Sequence, residues 1–156
     1  MKNGLFYLSI CAAAIIVGAF SFRGTDVARL APVEAVWLTE QAQKICIVTD
    51  TGDVGYGTDV QEALLDMKAS ASGTIFLETA DYLIVEQGKE ELLGQVYEIF
   101  RPSCQVCICN EMPKMEDVAR FLSAHESTTT LRQLRNADMP IPLLKDTMGR
   151  LELIEQ

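Results

Sequence analysis

The sequence predicts an α/β domain, with a mixed and largely parallel sheet flanked by helices, preceded by an N-terminal hydrophobic helix. Three observations carry that prediction. Short runs rich in β-branched and aromatic residues alternate with segments whose apolar residues recur at helical spacing. The apolar run Leu5 to Phe20 (LFYLSICAAAIIVGAF) is unlike anything that follows it in the 156 residues. What remains after it, roughly 130 residues, is enough for one domain with a core and too few for two.

Lys2, the apolar run and then Ser21, Phe22 and Arg23 form the pattern of a secretion signal or signal anchor, so residues 1–23 are read as one of these. A helix over residues 5–22 would rise about 27 Å, close to the hydrocarbon thickness of a bilayer. Ala19-Phe20-Ser21 offers small residues at the spacing a signal peptidase reads, so both anchoring and cleavage after Ser21 stay open. Leu8-Ser9-Ile10-Cys11 has the Leu of a lipoprotein site, but Ile10 is bulky where a small residue is needed. With Lys2 retained inside, the bulk of the chain is expected outside the cytoplasm, attached to the cell membrane or released by cleavage.

Residues 24–32 read as a linker, and residues 33–156 as the single folded domain. Residues 33–38 (VEAVWL) and 44–49 (KICIVT) are expected strands. Residues 50–57 (DTGDVGYG), with three glycines, are expected to form a loop. A helix follows, capped by Asp59 with Glu62 completing a capping box and with Val60, Ala63, Leu64 and Met67 on one face. Residues 74–78 and 82–85 form either two short strands or one bent strand. A helix over 89–100 carries Leu92, Leu93, Val96 and Phe100 inward, and Pro102 stops it. Residues 105–109 (QVCIC) form a strand. Pro113 opens a helix through about His125, Ser127 caps a short one carrying Leu131 and Leu134, and residues 151–154 can form a last strand. The expected order is β-β-α-β-α-β-α-α-β, and that alternation implies helices covering a largely parallel sheet.

Net charge is −9, and the Lys and Arg residues are scattered singly, with no stripe to neutralise phosphates. Nucleic acid is therefore excluded as an expected partner. The acidity would also repel an anionic bilayer, so residues 5–22 are the expected membrane attachment.

Cysteine is the loudest chemical signal. Cys104, Cys107 and Cys109 form C-x-x-C-x-C, and a C-x-x-C pair is able to serve as a redox couple or as zinc ligands. Here the pair enters an expected strand, whereas a redox pair gains its low thiol pKa from a helix N-terminus. Only Cys46 and His125 are left as a fourth zinc ligand. The reading adopted is that these thiols pack in the core. A disulfide from Cys46 to one of the three stays open, as does an exported thiol/disulfide or zinc-binding protein using Cys104, Cys107 and Cys109.

Asp50-Thr51-Gly52 matches the aspartic-protease tripeptide, but that chemistry needs two such loops, and a turn is the expected use. Gly52, Gly55 and Gly57 before a helix resemble a phosphate cradle, yet no Lys follows, and Asp50, Asp53 and Asp59 would repel phosphate. The same acids lack the spacing of a calcium loop. His125, the only histidine, sits near a helix end with no nucleophile placed beside it by any motif. Trp37 is expected in the core. No catalytic, cofactor-binding or metal-ligating residue is assigned, no cofactor is called for, and the chain is read as non-enzymatic.

The order of elements and several strings resemble the N-terminal domain of the Ger(x)C family, the C subunits of bacterial spore-germination receptors. The strings are Gly57-Thr58, Glu62-Ala63, Ile75-Phe76-Leu77, Leu83-Ile84-Val85-Glu86, Arg101-Pro102 and Val106-Cys107-Ile108-Cys109. Met139-Pro140-Ile141-Pro142-Leu143 is similar to a stretch before the family's next strand, and the likeness spans residues 33–154. Thr79 stands where many members carry His. The resemblance implies a non-enzymatic subunit in sporulation and germination, on the outer face of the inner membrane. Its implied partners are integral membrane subunits of a receptor-like complex.

Overall fold

The computed structural model describes residues 30–125, 129–137, 139–147 and 149–155. The apolar segment 1–23, residues 24–29 of the expected linker, and the Ser127 cap lie outside the described residues.

The end of the expected linker is already folded. Leu30–Pro32 forms β1, which pairs in parallel with β5, Thr74–Phe76, as a separate two-stranded sheet. β2, Ala35–Gln41, and β3, Lys44–Thr49, make an antiparallel hairpin closing on Gln41 opposite Lys44. Its two-residue turn places Ala42 at φ 51° and Gln43 at φ 65°. Both lie in the left-handed region that a type I′ turn demands and that Asn-Gly would occupy with less strain.

The glycine-rich stretch is not all loop. Val54–Gly57 is a strand, β4, antiparallel to β3. A Cβ on Gly55 would stand 2.1 Å from the Ala63 carbonyl oxygen, and one on Gly57 would stand 2.3 Å from the Ala63 nitrogen. These glycines let a strand lie directly against a helix, a use that local turn propensity does not reveal. The helix is α1, Val60–Ser70. The Asp59 side chain accepts from the Glu62 N–H at 2.8 Å. The Glu62 carboxylate reaches back one residue further than a capping box requires, accepting from the Thr58 N–H and hydroxyl, both at 2.7 Å. Those two bonds hold its carboxyl below the usual range.

Residues 74–86 resolve into two strands in different sheets. β5 ends in a 3₁₀ turn, Leu77–Thr79, and β6, Tyr82–Glu86, joins the main sheet. The expected long helix over 89–100 is shorter: a 3₁₀ turn, Glu90–Leu92, leads into α2, Leu93–Val96. Gly94 and the aromatic and β-branched residues Tyr97, Ile99 and Phe100 are poor helix formers, and the amides of Ile99 and Phe100 both close on the Val96 carbonyl. The expected inward face (Leu92, Leu93, Val96, Phe100) is nevertheless buried. β7, Gln105–Cys109, is followed by α3, Met115–Ala124, and α4, Leu131–Asn136, the latter closed by a capping box between Thr130 and Gln133. The last strand is half of a hairpin, β8, Leu143–Thr147, with β9, Arg150–Ile154. β8 escapes the sequence pattern because only Leu144 on it is fully buried.

The main sheet has seven strands in the order β4-β3-β2-β6-β7-β8-β9. It is α/β and mixed, but not largely parallel. The neighbours β2–β6, β6–β7 and β7–β8 are parallel, while β2–β3, β3–β4 and β8–β9 are antiparallel. Connections of a few residues can only make antiparallel neighbours, so the crossover-linked middle is parallel and both margins are hairpins.

Each face carries its own core. On one, Val36, Leu38, Ile47, Leu83, Val85 and Val106 pack against α1, α2 and α4. On the other, Trp37, Ile84, Cys107, Cys109 and Leu144 pack against Met115, Val118, Ala119 and Leu122 of α3, the one helix on that face among the described residues. Among the described residues, no helix is long and apolar enough to cross a membrane.

Candidate functional site

The alternation of β7 decides what its cysteines can do. Cys107 and Cys109 point to the α3 face, whereas Cys104, just before the strand, belongs to the core on the opposite face. The three therefore do not converge, and the sheet lies between the members of the C-x-x-C pair. Their exposures are 0% for Cys104, 1% for Cys107 and 2% for Cys109. Burial pushes the Cys104 thiol up to about 12, against a smaller opposing pull from Arg101. Burial also raises Cys109, partly offset by the backbone at Glu111 and Asn110. A thiol becomes a nucleophile or ligand only as thiolate, so both are poor reagents at neutral pH.

Among the described residues, no disulfide joins Cys46, Cys104, Cys107 or Cys109. A bridge from Cys46 to β7 is blocked by topology. β2 and β6 intervene, and at roughly 4.8 Å per strand the separation of β3 from β7 is about 14 Å. His125 does not turn toward the cysteines. It ends α3, stacks on Phe121 with ring centroids 4.4 Å apart, and its Nδ1 lies 3.1 Å from the Phe121 carbonyl oxygen. α3 starts beyond the end of β7 that carries Cys109, so its ten residues put His125 about 15 Å along the helix from that end. Among the described residues, no group of three or more His, Cys, Asp and Glu side chains is placed to hold a metal ion.

Asp50-Thr51-Gly52 is a turn. The Asp50 carboxylate accepts from the Glu34 N–H at 3.2 Å, and Thr51 donates to Asp53 at 2.8 Å while the Asp53 N–H donates to Thr49 Oγ1 at 3.0 Å. Burial raises the Asp50 carboxyl above its ordinary range. Gly52, at φ 86°, takes the left-handed corner.

What the sheet does assemble is a lateral row at the carboxyl ends of its parallel strands. Tyr56 lies opposite Cys46, Cys46 opposite Thr39, and Glu86 opposite Cys109. Thr39 and Glu86 are joined by a bond from the threonine hydroxyl to the carboxylate. Thr39 is 2% exposed, so that bond satisfies a hydroxyl with no access to water. Burial raises the Cys46 thiol, and the Tyr56 hydroxyl beside it pulls the other way. Beyond Cys109 a cavity of about 450 Å³ opens against the β8–β9 hairpin, lined by Asn110, Glu111, Met112, Leu144 and Asp146. The Asp146 carboxylate is occupied by the Gly149 N–H at 2.8 Å.

Sequence reasoning missed Thr39, Tyr56 and Glu86. A signal existed for two of them: Thr39 and Glu86 continue the inward alternation begun by Trp37 and Ile84, so a polar residue at either place needs a partner across the strands.

No protein-family model, no curated protein and no solved structure matches this chain.

Proposed function

We propose that this chain is a non-enzymatic, membrane-anchored domain that works outside the cytoplasm through protein contacts, in the manner of a spore-germination receptor C subunit. The observation that carries this reading is the division of the thiols between two cores. The side chains with the most intrinsic reactivity are spent on packing, on opposite faces of one sheet. Surface contact is the role that remains best supported.

The order of elements is compatible with the likeness to the Ger(x)C N-terminal domain. Gly57-Thr58 leads into α1, Glu62-Ala63 lies within it, Leu83 to Glu86 falls in β6, Arg101-Pro102 follows α2, and Val106 to Cys109 falls in β7. On this reading, integral membrane subunits are the partners, and residues 5–22 provide attachment.

Fractionation of the expressed protein with mass spectrometry of its N-terminus tests the proposal, because it reports anchoring, cleavage and lipidation together. Membrane recovery with residues 1–23 intact is expected. Recovery in the cytosol, or rapid alkylation of all three β7-region thiols in the native protein, would refute it.

A further inference from the structure

The two margins of the main sheet are finished differently. At β4 the strand edge is closed by its own helix, since the Tyr56 N–H donates to Asp66 Oδ2 of α1 at 2.9 Å. At the other margin, β9 pairs only with β8 among the described residues. Every second backbone N–H and C=O of β9 therefore faces outward, in position to template another strand.

The side chains of β9 indicate which strand. Residues directly opposite in an antiparallel pair share a face, so a two-fold arrangement of β9 with itself must centre on a residue. Centred on Leu151, it sets Leu151 against Leu151 of a second copy and Arg150 against Glu152 at both ends. Centred on Glu152, it would oppose two carboxylates, which is unfavourable. Arg150 and Glu152 are free to exchange partners. Their side chains are 83% and 52% exposed, and they lie 3.9 Å apart within the strand. Leu151 and Leu153 are half-buried beside the α3 core, and Ile154 is 42% exposed, so pairing would cover apolar surface as well.

We propose that β9 is the interface for a second copy of this chain, joined antiparallel about Leu151 so that two main sheets become one. This deepens the protein-contact reading, on which it rests, by naming the surface and the partner. Five residues of edge bury less than a stable soluble dimer needs. Confinement to a membrane plane raises the effective concentration and makes so small an interface sufficient.

The test uses the full chain in membranes and purified in mild detergent, with Cys11→Ser to remove one background thiol. Leu151→Cys should give a disulfide-linked dimer on mild oxidation, and Leu153→Cys, which would face Gly149 of the second copy, at least tenfold less. Glu152→Arg should lower the Leu151→Cys yield at least tenfold, and Arg150→Glu with Glu152→Arg should restore it. Equal yields at 151 and 153, or yields indifferent to the charge changes, would overturn the pairing. Absence of the Leu151→Cys dimer in membranes, while Glu152→Arg disrupts a larger membrane complex, would assign β9 to a different protein, refuting the second copy but not the contact role. Labelling of Lys145→Cys by an impermeant maleimide in intact cells tests location separately, since it succeeds or fails whatever β9 binds.

Discussion

Replacing Gly55 by Ala inserts one methyl group where the structure leaves no space. The new Cβ would stand 2.1 Å from the Ala63 carbonyl oxygen, 2.6 Å from Met67 Cβ and 2.8 Å from the Met67 nitrogen. Two of these atoms are backbone, so no side-chain rotation relieves the clash. A tolerable carbon–oxygen contact begins near 3.3 Å, and α1 must withdraw by about 1 Å. Val60, Ala63, Leu64 and Met67, all buried beneath that helix, then lose part of their packing. A gap of that size forfeits about a quarter to a half of each contact. Applied to side chains whose burial contributes about 1.5–3 kcal/mol each, with less for Ala, the loss comes to about 2–4 kcal/mol. Urea denaturation of the full chain in mild detergent measures it, read by fluorescence of Trp37, the single tryptophan, which is 2% exposed. Gly94→Ala is the control: nothing lies within 4 Å of its new methyl, and α2 should gain about 0.5–1 kcal/mol. A Gly55→Ala protein within 0.5 kcal/mol of wild type, roughly the scatter for innocuous surface changes, would refute the close-approach argument.

Three further outcomes are expected. Ala42→Asn with Gln43→Gly should raise stability by about 1–2 kcal/mol, since both positions have positive φ; left-handed backbone costs about that for ordinary residues, and the urea midpoint reports it. Thr39→Val should lower stability by about 1.5–3 kcal/mol by removing the donor to the Glu86 carboxylate, and Thr39→Ser should recover much of it in the same assay. Because Cys104 titrates near 12 in the fold against an ordinary value of 9.0, the unfolded chain loses its proton first as pH rises. Stability should therefore hold below about pH 9 and fall between about 9 and 12, by up to about 1.4 kcal/mol per pH unit for this thiol, and Cys104→Ala should flatten that decline.

Much of the fold was legible because burial writes itself into periodicity. The inward faces of α1 and α3, the strand around Leu83–Val85 and the inward face of residues 92–100 all follow from spacing alone. The failures have two causes: a deciding contact with another element that local propensity does not reveal, and a pattern too short to read. Gly55 and Gly57 look like turn residues until α1 is laid against them. Leu30–Pro32 looks like a linker until β5 arrives 44 residues later. The hydrophobic pattern of β8 is too short to register. For the site, β alternation put Cys107 and Cys109 on one face, but placing Cys104 on the other required knowing where the strand begins. The Thr39–Glu86 bond spans 47 residues and follows only from the parallel register of β2 and β6.

The position of β2 has a consequence for how the chain is made. Residues 35–70 form a local unit of three strands and a helix, with short loops that close quickly, and this unit is able to condense as soon as it has emerged from the ribosome. Yet its first strand ends up in the middle of the finished sheet, and the flank that will receive Tyr82–Glu86 is bare until those residues emerge. A nascent chain paused between residues 70 and 82 would thus present a ready apolar template, so the hazard of mispairing is greatest halfway through synthesis and disappears once β6 docks.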